Sequence, residues 1–170
     1  MVKTSDIILR DWHIEDLPAV RQVTWDTWLA TYSSFIPVED MQAYFDSHYT
    51  LADMEQLLFS QSVRCVVAEI NGVIVGFGRT QHNEHEQRLY LSSLYIHPDQ
   101  QGKGIGKHLL QAAEARAVSL GLHELWLGVM VQNVDALAWY RKLGFVFDRE
   151  EPFTMGKTTV PHLIGFKKID

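Results

Sequence analysis

Leu94-Tyr95-Ile96-His97-Pro98-Asp99-Gln100-Gln101-Gly102-Lys103-Gly104-Ile105-Gly106-Lys107-His108-Leu109-Leu110 holds the reading that decides the fold. A short apolar run ends at a proline, a glycine-dense basic turn follows, and apolar residues at helical spacing begin at Ile105. This order predicts a strand feeding a loop that opens onto a helix N-terminus. Unpaired backbone N–H groups and the positive end of the helix dipole suit that place to a phosphate or pyrophosphate. Gly102, Gly104 and Gly106 let the backbone approach an anion and adopt conformations that a Cβ would forbid. Lys103 and Lys107 add positive charge, and Gln101 offers a neutral amide donor. A nucleotide P-loop is excluded, because G-x-x-x-x-G-K-[ST] is absent from the chain. The spacing G-x-G-x-G also differs from the dinucleotide fingerprint G-x-G-x-x-G.

The run Gln101-Gly102-Lys103-Gly104-Ile105-Gly106 resembles the Q/R-x-x-G-x-G/A signature of the GCN5-related N-acetyltransferases. In that family the loop holds the pyrophosphate of acetyl-coenzyme A. A second stretch, from Asn133 through Ala136 and Tyr140 to Gly144-Phe145, matches the family's N-x-x-A-x-x-x-Y-x-x-x-G-F pattern after the fifth strand. The resemblance implies that Asn133 meets the pantetheine arm and that Tyr140 lies beside the coenzyme sulfur as the general acid for the departing thiolate. A phenol with a pKa of about 10 stays protonated at neutral pH yet can donate. Read without the resemblance, Asn133 is a helix N-cap and Tyr140 a half-buried aromatic facing the sheet. The resemblance also implies that Leu94, Tyr95 and Ile96 offer backbone groups to the pantetheine amides, as an added strand would, where the fourth and fifth strands part.

Composition sets the frame. At 170 residues the chain is expected to form one domain, residues 1–170, with a buried core. Hydrophobic residues at 46% and charged residues at 21% argue against disorder. No apolar run is long enough to span a bilayer, and Met1–Arg10 lacks a signal-peptide core, so a cytoplasmic protein without membrane association is expected. The single cysteine, Cys65, excludes an internal disulfide and reads as a buried thiol inside an apolar run. A net charge of −6 supplies no basic face for nucleic acid and is compatible with a cationic acceptor such as an amine. No metal is implied, and a homodimer is left open.

Periodicity predicts strands at Asp6–Arg10, Val63–Ile70, Val73–Thr80, Arg88–His97, Leu122–Val131, Phe145–Arg149 and Val160–Lys168. Helices are predicted over Ile14–Tyr32, Val38–His48, Thr50–Ser60, Gly104–Leu120 and Val134–Lys142, with Thr50 as an N-cap for Asp53. Asn71-Gly72 between two β-branched runs signals a hairpin, and Gln81–Gln87 a polar turn. The result is an α/β fold, a mixed twisted sheet flanked by helices. This agrees with the acyl-coenzyme A N-acyltransferase fold of the resembled family.

The acceptor side is less legible. Polyamine acetyltransferases of the resembled family often carry a glutamate on the fourth strand, at the position held here by Ser92. Serine can position a water but cannot act as a base at neutral pH, so Ser92 is a catalytic candidate of that limited kind. Glu84, His85 and Glu86 fall on a solvated turn, and His97 is expected to cap the strand end. Trp25, Trp28 and Tyr32, with Asp26, put aromatics and a carboxylate on one helix; they are candidate acceptor-binding residues, or core. Trp-Leu-Gly-Val at 126–129 and Phe-x-Met-Gly at 153–156 resemble the bacterial spermidine/spermine N-acetyltransferases of the PaiA type. The resemblance implies direct transfer from acetyl-coenzyme A to the amine of a small molecule, a polyamine first. A peptide or protein N-terminus is the second expectation, and a non-catalytic acyl-coenzyme A sensor the competitor from another class.

Overall fold

The computed structural model describes residues 6–170; Met1–Ser5, part of the segment read above as lacking a signal-peptide core, lie outside the described residues. Seven strands form one sheet: β1 (Ile7–Asp11), β2 (Val63–Ile70), β3 (Val73–Asn83), β4 (Arg88–Ile96), β5 (Glu124–Met130), β6 (Val146–Met155) and β7 (Thr158–Lys168). Their spatial order is β1-β2-β3-β4-β5-β7-β6, and every neighbouring pair is antiparallel except β4 with β5. Helices α1 (Leu17–Tyr32), α2 (Val38–His48) and α3 (Leu51–Phe59) cover one face; α4 (Ile105–Ser119) and α5 (Val134–Lys142) cover the other.

Both faces of the central strands are buried, which explains their continuous apolar runs. Along β2, Cys65 and Val67 pack beneath α1 and α3, while Val66 and Ala68 pack beneath α4. The Asn71-Gly72 turn has φ of 51° and 78°, the left-handed pair that a two-residue hairpin requires. Thr50 caps α3 by accepting from Asp53 N–H at 3.1 Å, as the spacing predicts.

Three boundaries differ from the sequence expectation by three residues or more. Helix α1 begins at Leu17, after a short 3-10 turn at Ile14–Asp16, because Pro18 sits in its first turn and has no N–H to continue an earlier ladder. β3 runs on to Asn83, since the polar Gln81–Asn83 pairs with Arg88–Tyr90 at the sheet's end. β6 runs to Met155 rather than stopping at Arg149. It is an edge strand with an exposed face, so its charged residues and Pro152 fit a strand although they read as a loop.

Asp40 at the start of α2 ties the β6–β7 hairpin to the helical layer. Its carboxylate accepts from Lys157 N–H at 3.0 Å and from Thr158 Oγ1 at 2.5 Å. Opposite, the buried Arg116 of α4 has no carboxylate partner among the described residues. It donates instead to Thr80 O, Thr80 Oγ1 and Ser62 O at 2.6–3.1 Å, and burial lowers its pKa. Removing it leaves buried acceptors empty. Arg116→Ala should therefore lower unfolding stability by about 3 kcal/mol, from hydrogen bonds to a charged group; urea denaturation with an unchanged midpoint would contradict this bracing role.

Candidate active site

The site is built by a break in β4. Arg79 of β3 pairs with Ser93 while Thr80 pairs with Leu91, so Ser92 is the extra residue of a β-bulge. Leu89 and Leu91 face α4 and α5, and after the bulge Leu94 and Ile96 face that same side. The bulge re-aims the strand. β4 and β5 are paired only at Leu89–Leu125 and Tyr90–Trp126, and then separate. The edges of Leu91–Ile96 and Leu127–Met130 that face one another have no strand partner.

The opening is the centre of a cleft of about 1220 Å³. One end is the glycine-rich loop. Gly102 and Gly104 have φ of 78° and 83°, and Gly104 is the N-cap of α4. The first α4 amide paired within the backbone is that of His108, to Gly104 O at 3.3 Å; the amides of Ile105, Gly106 and Lys107 therefore precede the first helical bond. Gly106 lies against α5: a Cβ there would stand at ordinary contact distance, 3.5 Å, from the Trp139 ring. Gln101 donates its amide to Ile96 O at 3.1 Å, and Lys103 Nζ donates to Gln100 Oε1 at 2.8 Å.

Tyr140 of α5 lines the cleft, and its hydroxyl makes no hydrogen bond among the described residues. Burial pushes its pKa well above the usual phenol value, and the Tyr32 phenol of α1 adds to the rise. Tyr32 and Tyr140 belong to helices on opposite faces of the sheet, and both line the cleft that opens between β4 and β5. Asn133 caps α5 by accepting from Ala136 N–H at 3.4 Å, and its amide nitrogen has no protein partner. Asn133 and Ala136 both line the cleft, with Leu94, Tyr95 and Ile96.

Of the acceptor candidates, Trp28 and Tyr32 reach the cleft and Trp25 does not; it packs on Phe45 with ring centroids 5.0 Å apart. Asp26 turns toward His97 instead, 3.4 Å from its Nε2, so the expected aromatic–carboxylate pocket is not assembled. Ser92 lines the cleft, but its hydroxyl donates to Arg79 O at 3.1 Å and accepts from Arg79 Nε at 3.2 Å. Its proton is committed to a carbonyl, so in this arrangement it positions Arg79 rather than a reacting water. Glu86 donates nothing to the cleft wall; it accepts from Tyr90 Oη at 2.5 Å and stays outside.

Three cleft residues escaped the sequence reading. Ser93 is buried, and its Oγ has no partner. Arg79 enters from β3, opposite Ser93. His162 of β7 lies over Gly128, where a Cβ would come within 2.7 Å of the imidazole. His162 Nδ1 is 2.7 Å from Glu151 O; a carbonyl can only accept, so Nδ1 carries the proton and Nε2 of the neutral ring keeps its lone pair. The irregular spacing Leu89, Leu91, Leu94, Ile96 was the one available signal for the bulge; nothing local marked Arg79 or His162.

A profile of the Acetyltransferase (GNAT) family matches residues 17–145. The chain belongs to that family. L-amino acid N-acyltransferase MnaT of Escherichia coli (strain K12) is 36% identical over 90 residues, 51% of this chain and 52% of the relative. The chain thus spans about half the length of that curated relative. A crystal structure of PaiA N-acetyltransferase from Thermoplasma acidophilum in complex with coenzyme A superposes with a TM-score of 0.83 at 25% identity, covering 95% of this chain and 98% of that one. Spermidine N-acetyltransferase from Vibrio cholerae, in complex with coenzyme A and spermine, shares the fold at a TM-score of 0.74 and 20% identity, over 98% and 97% of the two chains.

Burial also raises Tyr44 and Tyr95 and pushes Tyr32 up to about 12. Each of these phenols is neutral when folded and ionises more readily when unfolded. Their contribution to stability is therefore complete below pH about 10 and is lost as pH rises beyond it. The melting temperature of this GNAT chain should fall above that pH, and phenolate absorbance at pH about 11 should be well below that of the urea-unfolded chain. Equal absorbance in both states would contradict burial of the cleft tyrosines.

Proposed function

We propose that residues 1–170 act as one acetyl-coenzyme A-dependent N-acetyltransferase, which transfers acetyl directly to the primary amine of a small molecule in a ternary complex. The observation that carries this reading is the continuous cleft. It runs from the α4 N-terminus, through the gap between β4 and β5, to the unpartnered hydroxyl of Tyr140. The residues present fit the coenzyme. The left-handed glycines and free amides of Ile105, Gly106 and Lys107 suit a pyrophosphate, with Gln101, Lys103 and Lys107 around it. The unpaired edge of Leu94–Ile96 suits the amides of a pantetheine arm, and the Asn133 amide stands beside it. When bound, the coenzyme supplies an activated acyl thioester.

The chain's own groups then move the protons. Tyr140 Oη gives its proton to the departing thiolate, which needs an acid that is still protonated at working pH, and the second proton lost by the attacking nitrogen as the tetrahedral intermediate collapses restores the phenol. His162 Nε2, held in the accepting tautomer by the Glu151 carbonyl, takes the proton that an ammonium must lose before it attacks. Cys65 takes no part: it is buried away from the cleft and burial raises its pKa, which supports direct transfer over an acyl-enzyme. A polyamine fits this cleft poorly, because Arg79 lines its acceptor side and no carboxylate does so among the described residues. An acceptor with a single amine is the better match.

Tyr140→Phe should lower kcat by about 10²–10⁴-fold with little change in coenzyme affinity, and His162→Gln should lower kcat/KM by about 10²-fold. Thiol release from acetyl-coenzyme A across a panel of amines measures both, and an unaltered kcat would remove either residue from the mechanism. Gly104→Val should abolish coenzyme binding in calorimetry, since a β-branched residue cannot hold φ of 83°. Coenzyme binding with no turnover on any amine would favour a non-catalytic sensor.

A further inference from the structure

Charged side chains along the cleft are few among the described residues. Lys107 and Asp135 sit on the first turns of α4 and α5, at the coenzyme end. Arg79 stands apart from them on the other face of the sheet. Its cross-strand partner is Ser93, and on β3 it follows Phe77, which packs beneath α1. Its Nε donates to Ser92 Oγ at 3.2 Å, and its guanidinium lies 5.7 Å from the Tyr49 ring centroid. Both contacts fix the plane of the guanidinium. Neither uses the two terminal NH₂ groups, and no described carboxylate pairs with Arg79.

Ser93 adds the second half. It is 4% exposed, and its Oγ finds no hydrogen-bond partner, although buried hydroxyls are nearly always paired. Residues directly opposite on antiparallel strands hold their Cβ atoms about 4.5–5.5 Å apart on one face of the sheet. A planar fork of N–H donors lines the cleft, and an orphaned hydroxyl lies beside it, just within the wall. A carboxylate satisfies both at once: two oxygens for the guanidinium fork, with a remaining lone pair for the hydroxyl. A second ammonium at that place would meet a like charge and leave every donor empty.

We propose that the acceptor bears a carboxylate next to its amine, and that Arg79 and Ser93 form the subsite that holds it. This rests on the N-acetyltransferase reading above and narrows its substrate to amino-acid-like molecules. The neighbouring walls are aromatic and apolar (Trp28, Tyr44, Tyr49, Phe153, Met155), so an acceptor with an apolar side chain is favoured. The bulge that parts β4 from β5 then has two products: the gap that admits the donor, and the Ser92 hydroxyl that aims the arginine.

The test compares phenylalanine, phenylalanine amide, 2-phenylethylamine and spermidine as acceptors. Phenylalanine should be preferred over the amide and the decarboxylated amine by at least about tenfold in kcat/KM, as expected for a lost charge-assisted hydrogen bond. Arg79→Ala should raise KM for phenylalanine about 10–100-fold with kcat largely kept, and should erase that preference; Arg79→Lys should restore part of it. Ser93→Ala, which removes one hydroxyl from a folded wall, should give a smaller loss of the same kind. Equal or better turnover of 2-phenylethylamine by the unaltered protein would overturn the proposal, as would a carboxylate preference that survives Arg79→Ala. A binding arm separates this from failure of the enzyme reading. Calorimetry of N-acetylphenylalanine against N-acetyl-2-phenylethylamine, on the coenzyme A-loaded protein, should show binding of the carboxylate alone, lost in Arg79→Ala. Carboxylate binding without turnover would sink the enzyme reading and keep the subsite; no discrimination in binding would sink the subsite.

Discussion

The site depends on one unpaired stretch of backbone. β4 and β5 are the single parallel pair in the sheet, and they are held together over two residue pairs before they part. A parallel pair buried between helices ordinarily satisfies its N–H and C=O groups along its whole length, because an unpaired backbone group in a dry interior is costly. Here the Ser92 bulge bends β4 away, and the groups released open onto a cleft rather than into the core. Everything placed around that gap is held by elements that do not move with it. α4 is braced to β3 by Arg116, α5 is packed against α4 through Trp139 and Gly106, and the β6–β7 hairpin is tied to α2 by Asp40.

The gap also explains why chemistry and packing are shared between opposite layers. Tyr140 belongs to the α5 layer and Tyr32 to the α1 layer, yet both line the one cleft. In a continuous sheet a strand would separate them. Tyr140 is held protonated by burial in the α5 layer, where its ring meets Trp139 and Phe145, whereas the opposite wall of the cleft is a separate cluster in which Trp28 meets Tyr44, Tyr49 and Tyr95 edge-on or tilted at 5.1–6.4 Å. The cleft is therefore lined by core residues, and its polar groups (Ser93, Arg79, His162, Asn133) stand out by having donors or lone pairs that the fold leaves unused.

Much of this was legible in the amino-acid sequence, for local reasons. The loop from Gln101 to Gly106 declares itself through glycines that must adopt positive φ. The Asn133 cap follows from helix-start chemistry, Tyr140 came from the resemblance to the family's pattern, and the Asn71-Gly72 hairpin follows from its turn chemistry. β-branched and aliphatic runs marked both buried central strands. Elements misjudged in length were polar and peripheral: the far end of β3 and the edge strand β6 have exposed faces, so hydrophobic alternation does not announce them.

What escaped is long-range. The bulge at Ser92 exists only in register with Arg79 and Thr80, thirteen or so positions earlier in the chain. Its trace, a three-residue step between Leu91 and Leu94, gains meaning only once the partner strand is known. Trp25, Trp28 and Tyr32 share a helix, but whether each faces core, cleft or neighbouring helix is set by how α2 crosses it. Arg79 and His162 come from β3 and β7, far apart in sequence and silent in any motif. By itself the sequence determined the glycine-rich turn at the α4 N-terminus, proposed as the donor end, because a phosphate-binding turn at a helix N-terminus is written into a few consecutive residues. The opposite wall, proposed as the acceptor side, was decided by tertiary structure alone, because it is assembled from side chains on six separate elements, which meet only where the sheet opens.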